Sequence, residues 1–232
     1  MTVATFDDVI RGRRTTRGFR ADPVPRESIE HILALASTAP STFNTQPWRA
    51  IVLAGEAKRD LSRALLQAHA ANACPAHAAL PDPAPVECSR RMLEFRRRYY
   101  SALHVDRNDV AARARQTARN FVFFDAPVGL IFTIHRGLTE HSWLDYGLFL
   151  QNVMLAAHAS GLATCPQVSF VRYEPVIARQ LRLAPEERVV CGMSVGYPDP
   201  DHAVNRLDMP RDPVDTRWLG FESMREGRVT AC

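Results

Sequence analysis

The chain of 232 residues lacks the short motifs that usually mark a catalytic class. No G-x-G-x-x-G follows a strand pattern, no G-x-x-x-x-G-K-[ST] is present, and neither a G-x-S-x-G elbow nor an H-E-x-x-H pair occurs. A Rossmann dinucleotide domain, a P-loop, a serine-hydrolase elbow and a zincin are thereby disfavoured. The eight histidines, among them His31, His69, His77, His104 and His202, have no metal-ligand spacing, so no metal site is expected. Cysteine is also scarce. Cys74, Cys88, Cys165, Cys191 and Cys232 are odd in number and far apart, which argues against a disulfide framework and points to a reducing, cytoplasmic setting. The first ten residues, MTVATFDDVI, have no apolar core of signal-peptide length, so secretion is not expected. A bilayer-crossing run is missing as well: the most apolar stretch, Trp143 to Leu162, contains Asp145, Gln151, Asn152 and His158. Finally, 29 basic against 25 acidic residues leave a formal charge of only +4, too little for a nucleic-acid binder without a clustered stripe. The runs RGRRTTR and RRMLEFRRR are local, and the second reads as a solvated helix face.

What is present is an ordinary globular composition with 46% apolar residues, enough for one core, and no linker divides the chain. A single domain over residues 1–232 is expected. Asp7 to Arg14 reads as a short helix with cations at its end. DPVPRESIEHILALASTAP carries Ile29, Ile32, Leu33 and Ala36 at helical spacing, with Pro40 as the stop. Trp48 to Ala54 reads as a buried strand and Glu56 to Ala71 as a helix. From Ala71 to about Ala118 the pattern changes, first to prolines and then to an arginine-rich helical segment through Tyr99 and Tyr100. Such an insertion is either a lid or a passive surface excursion. Ala126 to Ile134 and Arg188 to Pro198 read as strands. Between them Ser142 is expected to cap a helix that ends at Gly161. That helix has Trp143, Leu144, Leu148, Phe149, Val153, Met154 and Leu155 all round it, so its cover comes from its own domain or from a second subunit. The elements do not alternate as in a doubly wound sheet, which predicts an α+β class.

Four polar clusters remain: Arg13–Arg17, the Ser41–Gln46 loop, CPQVS at Cys165 to Ser169, and NRLDMPRDP at Asn205 to Pro213. Arginines fork onto phosphate oxygens, while hydroxyls and amides suit a heterocycle edge or polyol chain. The clusters describe either a phosphorylated, ring-bearing ligand or arginines paired with the chain's own carboxylates.

RRTTRGF, APSTFNTQPWRAIVL, LDYGLFLQNVMLAAHASGLATCPQ, VVCGMSVGYP and RDPVD resemble, in that order, the landmarks of the FMN-dependent nitroreductase family. The segment RNFVFFDAPVG is similar to its nitrobenzoate-reductase-like branch. The resemblance implies a mostly antiparallel central sheet surrounded by helices, an intertwined homodimer, and FMN at the interface in sites built from both chains. It implies a lid-like insertion at 71–118 and a C-terminal extension over 204–232 that reaches the partner. Arg13 and Arg211 match phosphate-contacting positions, with Thr15 beside them; Arg14 matches a position near the ribityl chain or ring, and Arg17 one near the flavin pyrimidine. From the partner chain, Pro40, Ser41, Thr42 and Asn44 match the segment along the ring, while Gln46 holds the loop in shape. Pro166, Gln167 and Val168 match the turn whose backbone faces the ring, and Gln116 and Arg119 match its pyrimidine edge. Met209 stands where some members have a lysine, which leaves Arg206 as a substitute cation. Val168 stands where some have a glutamate. The implied activity is reduction of nitroaromatic or similar electron-poor substrates by NADH or NADPH, with ping-pong hydride transfer through flavin N5 and no protein nucleophile. Reductive dehalogenation, alkene reduction and a non-catalytic flavin-holding dimer are the alternatives that the same scaffold leaves open.

Overall fold

The computed structural model describes residues 5–74 and 83–220; His77, Cys232 and the end of the C-terminal extension lie outside them. Among the described residues the elements run α1 (Phe6–Gly12), α2 (Arg26–Ala36), β1 (Arg49–Ala54), α3 (Gly55–Ala70), α4 (Val86–Ala102), α5 (Val110–Ala118), β2 (Val128–His135), α6 (Glu140–Ala159), β3 (Ala163–Gln167), α7 (Glu174–Leu181) and β4 (Glu187–Gly196). The strands form one antiparallel sheet in the order β1-β2-β4-β3. This is the α+β class expected.

β2 and β4 are the inner strands, buried on both faces, which is why VGLIFTIH and VVCGMSVG read as nearly unbroken apolar runs. One face of the sheet packs against α2 and α6 through Ile32, Phe132, Phe149, Val153 and Met193. The other packs against α3 and α7 through Leu61, Leu65, Ile131, Phe170 and Ile177. Trp48 stacks on Phe149 with ring centroids 4.9 Å apart. The hydroxyl of buried Tyr146 on α6 lies 2.9 Å from the carbonyl oxygens of Arg49 and Thr133, tying the helix to the start of β1.

Several local expectations shift. β1 is not buried along its length; it is an edge strand with Leu53 in the core and Val52 exposed. Ser142 does not cap α6: the cap position is Thr139, and Ser142 is buried within the first turn. Gly161 does take the left-handed conformation at the far end, with φ +75°. The 71–118 region holds α4 and α5, the second of which has no clear pattern in the sequence. CPQ belongs to strand β3, and Pro166 is tolerated there because β3 is at a sheet edge.

After α5 the chain passes through a 3₁₀ turn, Arg119–Asp125, in which Phe123, Phe124 and Asp125 all have positive φ. The Phe123 ring then lies flat over β2 at Gly129, where a Cβ would meet it at 2.6 Å. The outer face of α6 is left open: Leu144 is 69% exposed, and Trp143 and Leu148 are also accessible.

Candidate functional site

The first cluster is an extended arm. α1 is capped by Thr5 and Asp8, ends at Gly12, and releases Arg13 with β backbone angles. The arm then runs beside β3: Thr15 bridges Thr164 in parallel, and Thr16 N–H donates to Thr164 O at 2.9 Å. Phe19 bridges Pro198 beyond β4. Both edge contacts place the arm along the β3 side of the sheet. Arg13 and Arg14 line a cavity of about 290 Å³ with Gly12, Thr16, His158 and Asn205. Arg13 Nε is buried with no hydrogen-bond partner among the described residues. A buried donor of this kind costs free energy unless something accepts from it.

Further along the arm, Arg17 turns toward the insertion. Its guanidinium lies 5.4 Å from the Phe95 ring, 5.2 Å from Tyr99 and 6.0 Å from Phe124. A cation over aromatic faces is attracted by their quadrupoles. Tyr99 OH accepts from Gln116 Nε2 at 2.6 Å, so Arg17, Tyr99 and Gln116 form one group. The Cys165 thiol is buried beside it and pushed up to about 11 by that burial, against the opposing influence of Arg17. It is a packed thiol.

The third cluster closes the same side. Gln167 is 3% exposed; its Nε2 donates to Asn120 O at 2.7 Å and its Oε1 accepts from Ser194 Oγ at 2.7 Å. Its side chain thus builds the core, while half-buried Pro166 and exposed Val168 flank it. Arg119 pairs with Asp125 at 3.1 Å. The tail is partly tied down: Arg14 lies 3.8 Å from Asp208, Arg98 Nη1 donates to Asp208 O at 3.1 Å, and Arg90 and Arg91 both reach Asp212 at 2.8 Å. Arg211 is exposed; among the described residues its Nη1 donates to Met209 O and Pro210 O alone, and it does not line the cavity that Arg13 lines. Arg206 is engaged with Pro200 O and Asp201.

The Pro40–Gln46 loop stands apart from these groups. Thr42–Asn44 is a 3₁₀ turn; Phe43, Asn44 and Gln46 have φ of 51°, 58° and 46°, and Phe43 is 98% exposed. The loop is held on α6, where Asp145, only 4% exposed, accepts from Thr42 N–H at 3.0 Å and lies 3.4 Å from Thr42 Oγ1. Ser41 Oγ accepts from Gln46 N–H at 3.0 Å, and Gln46 Nε2 donates to Asn44 O at 3.2 Å. Part of the loop's polarity therefore serves the loop itself. Asp145 and Asn205 were not among the site residues expected, although a carboxylate inside an apolar helix is a visible signal.

Three half-buried histidines, His69, His158 and His202, are held below the ordinary imidazole range, first by burial and then by Arg172, Arg13 and Arg119 respectively. The folded rings stay neutral where the unfolded ones start to take up protons. Their penalty is absent above the unfolded pKa of about 6.5 and grows as pH falls toward the folded values. The melting temperature is expected to decline from about pH 7 to about pH 5. A flat melting profile across that window would contradict the burial of these rings.

With this geometry in hand, a sequence model described as the Nitroreductase family matches residues 10–197, and the chain belongs to that family. It is 45% identical over 219 residues to the 4-nitrobenzoate reductase of Pseudomonas putida, covering 94% of this chain and 96% of that one. It is 44% identical to the chloronitrobenzene nitroreductase of Comamonas testosteroni, covering 89% and 92%. Among solved structures, the FMN-dependent nitroreductase NfnB from Mycobacterium smegmatis, in complex with NADPH, superposes with a TM-score of 0.87 at 30% identity, over 92% of this chain and 97% of that one.

Proposed function

We propose that the protein is a cytoplasmic FMN-dependent NAD(P)H nitroreductase acting on nitroaromatic and similar electron-poor compounds as a homodimer. The observation that carries this reading is the unsatisfied, buried Nε of Arg13 at the wall of a cavity that Arg14 also lines. A phosphate monoester is a complement that fits such a donor set. Family membership and the printed names of the relatives support the rest.

In this reading Arg13 holds the phosphate, with Thr15 beside it and Arg211 brought in from the tail. Arg14 lies near the ribityl chain, and Arg17, Gln116, Arg119 and the Pro166–Val168 segment flank the ring. A fixed guanidinium at Arg17 offsets negative charge on the pyrimidine edge. Pro40, Ser41, Thr42 and Asn44 come from the partner, which accounts for a strained, exposed loop built on the helix whose apolar outer face is open. FMN supplies the two-electron chemistry, so the protein's task is to bind, orient and tune it.

A visible spectrum of the purified protein tests the cofactor: a flavin band that bleaches anaerobically with NADPH or NADH is expected, and a colourless protein that ignores added FMN refutes it. The donor and the acceptor use the same exposed space in turn. Initial rates at varied NADPH and 4-nitrobenzoate should therefore give parallel double-reciprocal lines, and intersecting lines would rule out the shared space.

A further inference from the structure

The Asn205 side chain makes the full set of hydrogen bonds open to a carboxamide. Its Oδ1 accepts from Arg17 N–H at 2.9 Å and from Gly18 N–H at 3.2 Å. Its Nδ2 donates to Gly18 O at 2.8 Å and to Asp199 O at 2.9 Å. Two acceptor lone pairs and two donor hydrogens are thus all used, three of them on the backbone of the distant Arg17–Gly18 pair. Asn205 sits in the short turn Ala203–Arg206, which buried Val204 anchors in the core. The turn and the arm are in close contact here: a Cβ on Gly18 would meet the His202 ring at 2.2 Å. Asp199 N–H also donates to Gly18 O, at 3.0 Å.

The consequence concerns Arg17. Asn205, bonded to the backbone N–H groups of Arg17 and Gly18, fixes the backbone from which the Arg17 side chain leaves, and the guanidinium lies in the group formed by Phe95, Tyr99 and Phe124. The aromatic faces fix the far end and the carboxamide fixes the near end. Arg17 makes no ion pair with a carboxylate among the described residues, so these two restraints determine where its charge sits.

We propose that Asn205 is a positioning residue: by clamping the Arg17–Gly18 backbone it aims the Arg17 charge, and through it tunes the relative affinity for reduced and oxidised FMN. The inference rests on the flavin reading given above. Asn205 need not touch the cofactor to act in this way.

The test is a double-mutant cycle in the holoenzyme, using Asn205→Ala, Arg17→Ala and the pair, with oxidised FMN affinity measured by fluorescence titration and the midpoint potential by equilibration with redox dyes. Asn205→Ala is expected to lower the ratio of reduced to oxidised FMN affinity about tenfold, which is ~30 mV for a two-electron couple. In the Arg17→Ala background the same change should have no further effect on the potential. An equal drop in both backgrounds, or none in either, overturns the proposal, since a merely structural role would not depend on Arg17. Asn205→Ser retains one donor and one acceptor; if Asn205→Ala is insoluble, the same cycle is run with Ser, and the same non-additivity is required. A wild-type protein that binds no FMN would sink the flavin reading, whereas a yellow protein with additive effects would sink the role of Asn205 alone.

Discussion

Replacing Arg13 with alanine is expected to yield a folded protein that purifies nearly colourless, with FMN affinity lowered about 100-fold, the scale of a lost charge-assisted hydrogen bond from a partly desolvated site. Arg13 is half-buried and its Nε has no partner among the described residues, so the free protein already bears the desolvation that a phosphate would relieve. Removing the side chain takes away that unsatisfied donor along with the binding contact. Apoprotein stability should accordingly stay level or rise while binding collapses, a combination that a general folding defect does not produce. His158 supplies an internal check. Arg13 is the second cause, after burial, that holds its imidazole below the usual range, so in the variant the ring should titrate higher, though still below an exposed histidine. Titration with FMN by fluorescence and of His158 by NMR would measure both. Wild-type FMN affinity in the variant would remove Arg13 from the site.

The second large effect is expected at Asp145, the buried carboxylate on α6 that holds the Pro40–Gln46 loop. Asp145→Ala leaves the Thr42 N–H without its acceptor, a loss of about 1–3 kcal/mol. It also releases a loop whose three left-handed, non-glycine residues are strained by about 1–3 kcal/mol apiece when the surroundings do not hold them. The loop should relax, and FMN affinity should fall by roughly tenfold or more. Asp145→Asn keeps an oxygen to accept from Thr42 N–H and should retain most of the affinity. Equal losses in the two variants would show that the charge, and not the restraint on the loop, is what matters. Limited proteolysis provides an independent readout, with cleavage near Phe43 faster in the alanine variant only.

Much of the architecture could be read from the residues because burial imposes simple patterns. β2 and β4 are inner strands and appear as apolar runs; α2 has one wet face and appears at helical spacing. The misreadings have physical causes. β3 contains a proline and is short, yet it pairs because its outer side faces the arm and not another full strand. β1 carries Ile51, Val52 and Leu53 but lies at the other edge, so its β-branched core guarantees pairing on one side only. No pattern in the sequence announces α7, which begins at Glu174 followed by Pro175, a legitimate first-turn proline.

The site was legible in a similar measure. The arginine arm could be found by its charge, and Arg13 and Arg14 do meet at one cavity. The supports of the site could not, because they are long-range: Asp145 reaches Thr42 across 103 positions and Asn205 reaches Arg17 across 188. A single sequence displays an amide or a carboxylate but not the backbone group it will meet. Gln167 illustrates the converse. The resemblance puts its backbone at the ring, and its side chain, which a polar cluster alone says nothing about, joins Asn120 to Ser194 inside the protein.

The two walls of the proposed site are fastened by different physics. The insertion helix α4 is joined to the tail by Arg90 and Arg91 on Asp212, with all three side chains largely in water, and pairs of that kind are worth about 0–1 kcal/mol and weaken as the Debye length shrinks. The Pro40–Gln46 loop hangs on a carboxylate sealed from solvent. Raising ionic strength should therefore unlatch one wall while the other stays shut, so that entry of bulky acceptors quickens at concentrations of electrolyte that leave the grip on the ring untouched.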